Sequence, residues 1–113
     1  MGLVMFKLTF FVPLDYAESV KDALFNIGVG KIGDYDCCCF QIKGEGQFRP
    51  LPGSNPYLGD KNRIEKVEEY RIEMVLEEII ASKAITVLLQ AHPYETPAYD
   101  LQEVFTLDHL TQS

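Results

Sequence analysis

The sequence predicts an α+β fold, a ferredoxin-like sandwich in which an antiparallel four-stranded sheet carries two helices on one face. Three observations predict it. Alternating apolar residues indicate strands, apolar residues at helical spacing indicate two helices, and these elements follow one another in the order β-α-β-β-α-β. Two right-handed halves of this kind place both helices on the same side of the sheet. A length of 113 residues fits one domain, 1–113, with a core between about residues 5 and 105.

The first strand and the first helix are predicted within residues 5–27. A period of two gives the strand an apolar face made of Phe6, Leu8, Phe10 and Val12. Pro13 ends this strand. Asp15, followed three residues later by Glu18, resembles a capping box and predicts a helix start. The helix has an apolar stripe, and Gly28 and Gly30 end it; the stripe consists of Ala17, Val20, Ala23, Leu24 and Ile27.

Two further strands and a long loop are predicted between residues 34 and 76. Residues 34–43 alternate and predict the second strand. Residues 44–59 are rich in Gly and Pro and predict a loop, and loops of this length in compact domains are often functional. Residues 61–76 predict the third strand, with an apolar face of Tyr70, Ile72, Met74 and Leu76.

A second helix and a final strand complete the predicted order. The helix is expected over residues 77–91, and it ends where His92 precedes Pro93. The last strand is expected over residues 99–105, before the polar tail 109–113. The core-facing stripe of the helix consists of Ile80, Ala84, Val87, Leu88 and Ala91.

One face of the predicted sheet has no helix to cover it. We expect this face to be partly apolar, and the residues that make it so are Met5, Phe11, Val75 and Tyr99. An exposed apolar surface of this kind usually marks an interface. The residues alone therefore predict an oligomer.

Charge and composition exclude several classes of function. The formal net charge is −7, which disfavours sequence-independent binding to nucleic acid, since such binding depends on Lys and Arg meeting phosphates. No apolar run is long enough to span a membrane, and the apolar start of the chain resembles a strand more than a signal peptide. We therefore expect neither nucleic acid nor a membrane as partner.

Three cysteines, Cys37, Cys38 and Cys39, are consecutive. An odd number without the spacing of a disulfide framework favours a reducing, cytoplasmic compartment. Thiolates also bind copper or zinc, but Asp34 and Asp36 would raise the thiol pKa. Ordinary small core residues are the preferred interpretation of these cysteines.

The proline-framed segment 92–101 is the main candidate site. It presents one imidazole and one carboxylate on a stiff connector, and its candidate ligand-binding or interface residues are His92, Tyr94, Glu95 and Tyr99. His92 and Glu95 are also candidate ligands of a divalent metal, although two ligands are too few for a closed zinc site. In the alternative interpretation, His92 caps the helix or satisfies a buried carbonyl and Glu95 pairs locally.

The loop 44–59 is the second candidate site. Arg49 and backbone N–H groups suit an anion, and Phe48 and Asn55 complete the candidate residues of this loop. The loop has no phosphate-binding glycine motif, so the competing interpretation is a surface loop that packs on its own domain or on a neighbouring copy. Motifs of conventional hydrolases are absent from the sequence. The acidic run is expected to be a solvated edge, and it contains Glu65, Glu68, Glu69, Glu73, Glu77 and Glu78.

Two of these segments resemble a known family. Residues 91–101, AHPYETPAYDL, resemble the AHPYExPAYD(I/L) signature of the YqfO-type PII/CutA-like domain of the NGG-interacting-factor family. Residues 44–50, GEGQFRP, with the GSNP of residues 53–56 and Gly59, resemble a second motif of that domain. The resemblance extends from about Met5 to Val104, and the HPYETP turn also resembles that of CutA proteins.

The resemblance implies a fold that assembles through its sheets, as PII and CutA trimers do, with the loop 44–59 in place of the PII signalling loop. Longer family members carry a dinuclear metal site in flanking domains, so it cannot be carried over to any residue here; the only histidines are His92 and His109. Basic residues that a triphosphate needs are sparse in the loop.

We therefore expect a small cytoplasmic binding or regulatory module without catalysis and without a cofactor. It is expected to form a homo-oligomer, a trimer or else a dimer, and to bind an unknown small ligand or protein partner. A CutA-like protein that binds divalent copper or zinc is the alternative, and part of a metal-dependent hydrolase system is a weaker one.

Overall fold

The computed structural model describes residues 4–110, apart from the side chains of residues 108 and 109. Most of the predicted polar tail lies outside this range. In chain order the elements are β1 (Met5–Pro13), α1 (Ala17–Phe25), β2 (Phe40–Phe48), β3 (Glu65–Glu77), α2 (Ala81–Ala91), β4 (Tyr99–Val104) and the short α3 (Leu107–Leu110). None of the helices within residues 4–110 is long and apolar enough to cross a membrane.

The strands form one sheet in the order β2-β3-β1-β4, and every neighbouring pair is antiparallel. In this order β1 and β3 are the central strands, and β2 and β4 form the edges. The predicted ferredoxin-like sandwich is thereby confirmed.

The core lies between the sheet and the two helices. Alternation on β1 buries Leu8, Phe10 and Val12 completely, and the matching face of β3 buries Ile72, Met74 and Leu76. The helices contribute the buried members of their predicted stripes, which are Ala17, Val20, Leu24, Ala84 and Leu88. Each large apolar side chain buried in this way contributes about 1.5–3 kcal/mol relative to an exposed one.

The second strand lies further along the chain than the alternation predicts. It spans Phe40–Phe48 rather than residues 34–43, so the three cysteines precede it and the first five residues of the predicted loop belong to it. Cys37 has a φ of 56°, which a strand cannot accommodate. Gly44 and Gly46 pair in register with Glu69 and Val67 of β3. Glycine in a strand often marks a close approach of a neighbouring group, and the prediction that the loop begins at Gly44 is wrong.

Both helices begin differently from the prediction. A 3-10 turn, Leu14–Tyr16, precedes α1, and the capping position falls on Tyr16 without a side-chain hydrogen bond, so the capping box of Asp15 and Glu18 is wrong. A second 3-10 turn, Glu78–Ile80, delays the start of α2 to Ala81. The third strand likewise begins at Glu65, four residues later than expected.

The face of the sheet opposite the helices, here called the open face, carries Phe40 and Ile42 with 63% and 55% of their surface exposed. Met5, Phe11 and Val75 lie half-buried on the same face, as predicted. The prediction that Tyr99 lies on this face is wrong. Tyr99 pairs in register with Phe10, which points into the core, and directly opposed residues share a face.

Two substitutions on α2 test the assignment of the core. Leu88→Ala and Leu89→Ala change helix propensity equally, so a difference in stability between them reports the loss of core packing. Leu88 is fully buried and Leu89 is 43% exposed, so we expect Leu88→Ala to lower the free energy of unfolding by about 2–5 kcal/mol. Leu89→Ala makes the same chemical change one residue later and should cost clearly less. Urea denaturation of the two variants measures this difference, and equal losses would contradict the assigned core.

Candidate functional site

A cleft of about 590 Å³ opens at the end of the sheet where β1 finishes, a volume within the range of small-molecule sites. Pro13, the last residue of β1, pairs with Glu69, whereas the β2–β3 ladder continues to the pair of Phe48 and Glu65. This overhang forms one wall. The loop after β2 and the turn between α2 and β4 form the others.

His92 lies behind the cleft and holds the turn in place. Its ring is 5% exposed, with Nε2 2.6 Å from the carbonyl oxygen of Phe11, while the N–H of Tyr94 donates to Nδ1 over 3.1 Å. Because Nδ1 accepts, the proton lies on Nε2 and is donated to Phe11. Burial lowers the pKa of His92, and the bond to the Phe11 carbonyl offsets this in part. The interpretation that His92 satisfies a buried carbonyl is confirmed.

Tyr94 and Glu69 form the polar centre of the cleft. The Tyr94 hydroxyl donates to Oε2 of Glu69 over 2.9 Å. Burial, followed by the bond to Glu69 and the charge of its carboxylate, raises the pKa of Tyr94, so the phenol keeps its proton. Glu69 itself is only 9% exposed, so its assignment to a solvated edge is wrong.

Gly46 explains how a carboxylate fits against the sheet at this point. A Cβ at Gly46 would overlap Oε1 and Cδ of Glu69, so the missing side chain is what makes room for the carboxylate. Gly44 lies two residues earlier on the same strand and has no neighbour within 4 Å of such a Cβ. A glycine inside a strand was the signal in the sequence that could have identified Glu69.

The loop and the turn meet within one chain. The N–H of Asn55 donates to Oε1 of Glu95 over 3.0 Å, so Asn55 contributes its backbone rather than its side chain. The Tyr57 hydroxyl donates to that of Tyr16 over 3.3 Å. These two bonds hold the loop against the body of the domain.

Aromatic rings make up much of the cleft wall. The Tyr94 ring lies 6.0 Å from that of Phe48 and 6.2 Å from that of Tyr57, measured between centroids. It also lies 4.8 Å from the His92 ring. The rings are tilted by 45–54° to one another rather than stacked face to face.

Arg49 is the cation of the cleft, and it forms no ion pair with any residue of 4–110. Of the candidate residues, the structure brings Phe48, Arg49, Tyr94 and Glu95 together in the cleft wall. Tyr99 begins β4 and does not line the cleft.

Metal binding by His92 and Glu95 stays a prediction. Both ring nitrogens of His92 already have partners, so a metal there would have to replace the Tyr94 N–H or the Phe11 carbonyl. In the described range 4–110, no three His, Cys, Asp or Glu side chains are grouped as metal ligands.

The interpretation of the three cysteines as core residues is wrong, because Cys37 and Cys39 are exposed and Cys38 is partly exposed. Desolvation and then Asp36 raise the pKa of the Cys37 thiol, and Asp36 was expected to do so.

No family model matches the sequence. The chain is 42% identical over 97 residues to a protein of Halalkalibacterium halodurans called GTP cyclohydrolase 1 type 2 homolog, and 41% identical over 98 residues to the protein of that name from Bacillus subtilis. The matches cover 86% and 87% of this chain. They cover 26% of each relative, so the chain spans about a quarter of the length of these curated relatives.

Comparison with solved structures supports the fold described above. A Bacillus cereus protein related to NIF3 superposes with a TM-score of 0.81 at 37% identity, over 94% of this chain and 27% of that one. CutA1 from Shewanella sp. SIB1 superposes with a TM-score of 0.67 at 14% identity, over 94% and 86%. GlnK of Bacillus subtilis gives 0.60 at 17%, over 89% and 84%. The chain therefore has a PII/CutA-like fold and is similar to a segment of NIF3-related proteins.

The buried imidazole should make stability depend on pH. A pKa lowered in the folded state means that the contribution of His92 is fully present above its unfolded pKa of about 6.5 and is lost as pH falls toward the lower folded pKa. We expect the free energy of unfolding to decrease between pH 7.5 and pH 5.5. His92→Gln should flatten this dependence in urea denaturation at each pH, and identical pH profiles would contradict the assignment.

Gly46→Ala tests the seat of the Glu69 carboxylate. The added methyl group should displace the carboxylate and break its bond to Tyr94, lowering the free energy of unfolding by about 1–3 kcal/mol. Gly44→Ala adds the same methyl group into open space and should change it by no more than about 0.5 kcal/mol. Denaturant unfolding compares the two, and similar values would show that the methyl group does not disturb Glu69.

Proposed function

We propose that this chain is a PII/CutA-like binding or regulatory module of the NIF3/YqfO family and that its cleft is a ligand site. The observation that carries the proposal is the set of bonds that hold the cleft in shape, from Tyr94 to Glu69 and from Asn55 to Glu95. The residues of both family motifs build this cleft. Pre-formed, largely apolar walls with a few fixed polar groups are typical of binding sites.

Recognition fits the cleft better than catalysis does. A general base must reach a substrate proton, but the neutral His92 ring is occupied at both nitrogens behind the wall. Tyr94 keeps its proton because of its raised pKa. The name of the curated relatives refers to a GTP cyclohydrolase, and we propose that any such activity belongs to the three quarters of those proteins that this chain does not match.

We further propose that copies of the chain associate through the open face, as a trimer or else a dimer, in the cytoplasm. The exposed Phe40 and Ile42 on the edge strand β2 support this proposal. Apolar residues with more than half of their surface in water gain from being covered by a second copy. The free thiols of Cys37, Cys38 and Cys39 fit a reducing compartment.

Size-exclusion chromatography with light scattering tests the assembly. We expect an oligomer at micromolar concentration and a shift toward monomer in Ile42→Glu, because the new charge would be buried at the interface. Ile79→Glu is the matched control, since Ile79 is 87% exposed and lies in the turn before α2. A wild-type chain that is strictly monomeric, or equal effects of both variants, would contradict the proposed interface.

A further inference from the structure

The Glu69 carboxylate lines the cleft and has acceptor positions left for a ligand. An ionised carboxylate offers about four acceptor positions. Among residues 4–110, Glu69 accepts one hydrogen bond, from the neutral Tyr94 hydroxyl, and forms no ion pair. No side-chain oxygen of the described residues is both buried and unpaired, so the Glu69 oxygen that Tyr94 does not engage is reached by the solvent of the cleft. The N–H groups of a ligand can replace that water, so this arrangement points to a ligand that supplies further donors.

The surroundings of Glu69 define the body of such a ligand. Phe48, Tyr57 and Tyr94 line the cleft with aromatic surface, which favours a flat, unsaturated ring. A flat ring bearing two adjacent N–H groups presents them in the geometry that a carboxylate accepts with both oxygens. A ring with one N–H group beside a bare ring nitrogen would set a lone pair against Glu69 instead.

Arg49 defines the other end of the ligand. It lies three residues beyond Gly46, which contacts the Glu69 carboxylate, and three residues of extended chain place the two Cα atoms roughly 10 Å apart. A mononucleotide has about this length between the edge of its base and its phosphate. One guanidinium without an ion-pair partner in residues 4–110 suits a single phosphate group, not a triphosphate.

We infer that the cleft binds a purine mononucleotide with a guanine-type edge, whose adjacent N–H groups donate to Glu69 and whose phosphate pairs with Arg49. This rests on the proposed function, because it names the ligand class of the same cleft. Tyr94 serves as the positioning residue that holds the carboxylate over Gly46.

Calorimetric titration of the purified chain with GMP, AMP and guanosine tests the inference. GMP should bind about ten-fold more tightly than AMP, which lacks the paired donors, and than guanosine, which lacks the phosphate. Equal affinities for GMP and AMP, or no binding of any of the three, would overturn it. An intact oligomer in that case would leave the proposed assembly standing, so the two failures are distinguishable.

Two pairs of variants test whether Glu69 binds the base and Arg49 binds the phosphate. Glu69→Gln should weaken GMP about ten-fold and remove the preference over AMP, while Glu68→Gln, on the opposite face of β3, should leave both affinities unchanged. Arg49→Gln should bring GMP to the affinity of guanosine, and Arg63→Gln should not. If Glu69→Gln does not fold, the ratio of GMP to AMP affinity in the wild-type chain decides the question alone.

Discussion

The hydrogen bond from His92 to the Phe11 carbonyl is the constraint on which the arrangement of the cleft depends. It fastens the end of α2 to the end of β1, two elements that are distant in sequence. It also fixes the tautomer of the ring, and the acceptor nitrogen that results orients the Tyr94 backbone. Tyr94 in turn reaches Glu69 on β3. One neutral imidazole thus connects three elements of the domain to the same site.

Periodicity predicts the parts of this protein that packing decides. The alternating residues of β1 and the stripe of α2 lie in the core as expected, because burial of one face imposes those periods. The sequence predicts β2 poorly, because Gly44 and Gly46 weaken the strand signal while the pairing with β3 outweighs it. The helix starts depend on local turns, and a capping pattern alone does not determine them.

The candidate site is predicted only in part for a related reason. His92, Tyr94 and Glu95 belong to one short segment, so the sequence places them together without any knowledge of the fold. Glu69 reaches the same site through the register of β3 with β2, and it looks like its solvated neighbours in a run of acidic residues. Tyr99 shows the converse, since its face is set by pairing with Phe10 rather than by its own polarity.

The loop that closes the cleft is held to the domain very differently from the strands. Among residues 4–110, the hydrogen bonds that join it to the rest of the chain, from Asn55 to Glu95 and from Tyr57 to Tyr16, are both exposed to water. An ordinary hydrogen bond contributes about 0.5–1.5 kcal/mol net, and exposed ones lie at the low end. The Tyr57 ring also contacts those of Tyr16 and Tyr94, but these contacts are few beside the ladders of the sheet. We therefore expect the loop to open at a lower free energy than the sheet unfolds, with the core and the His92 bond left intact.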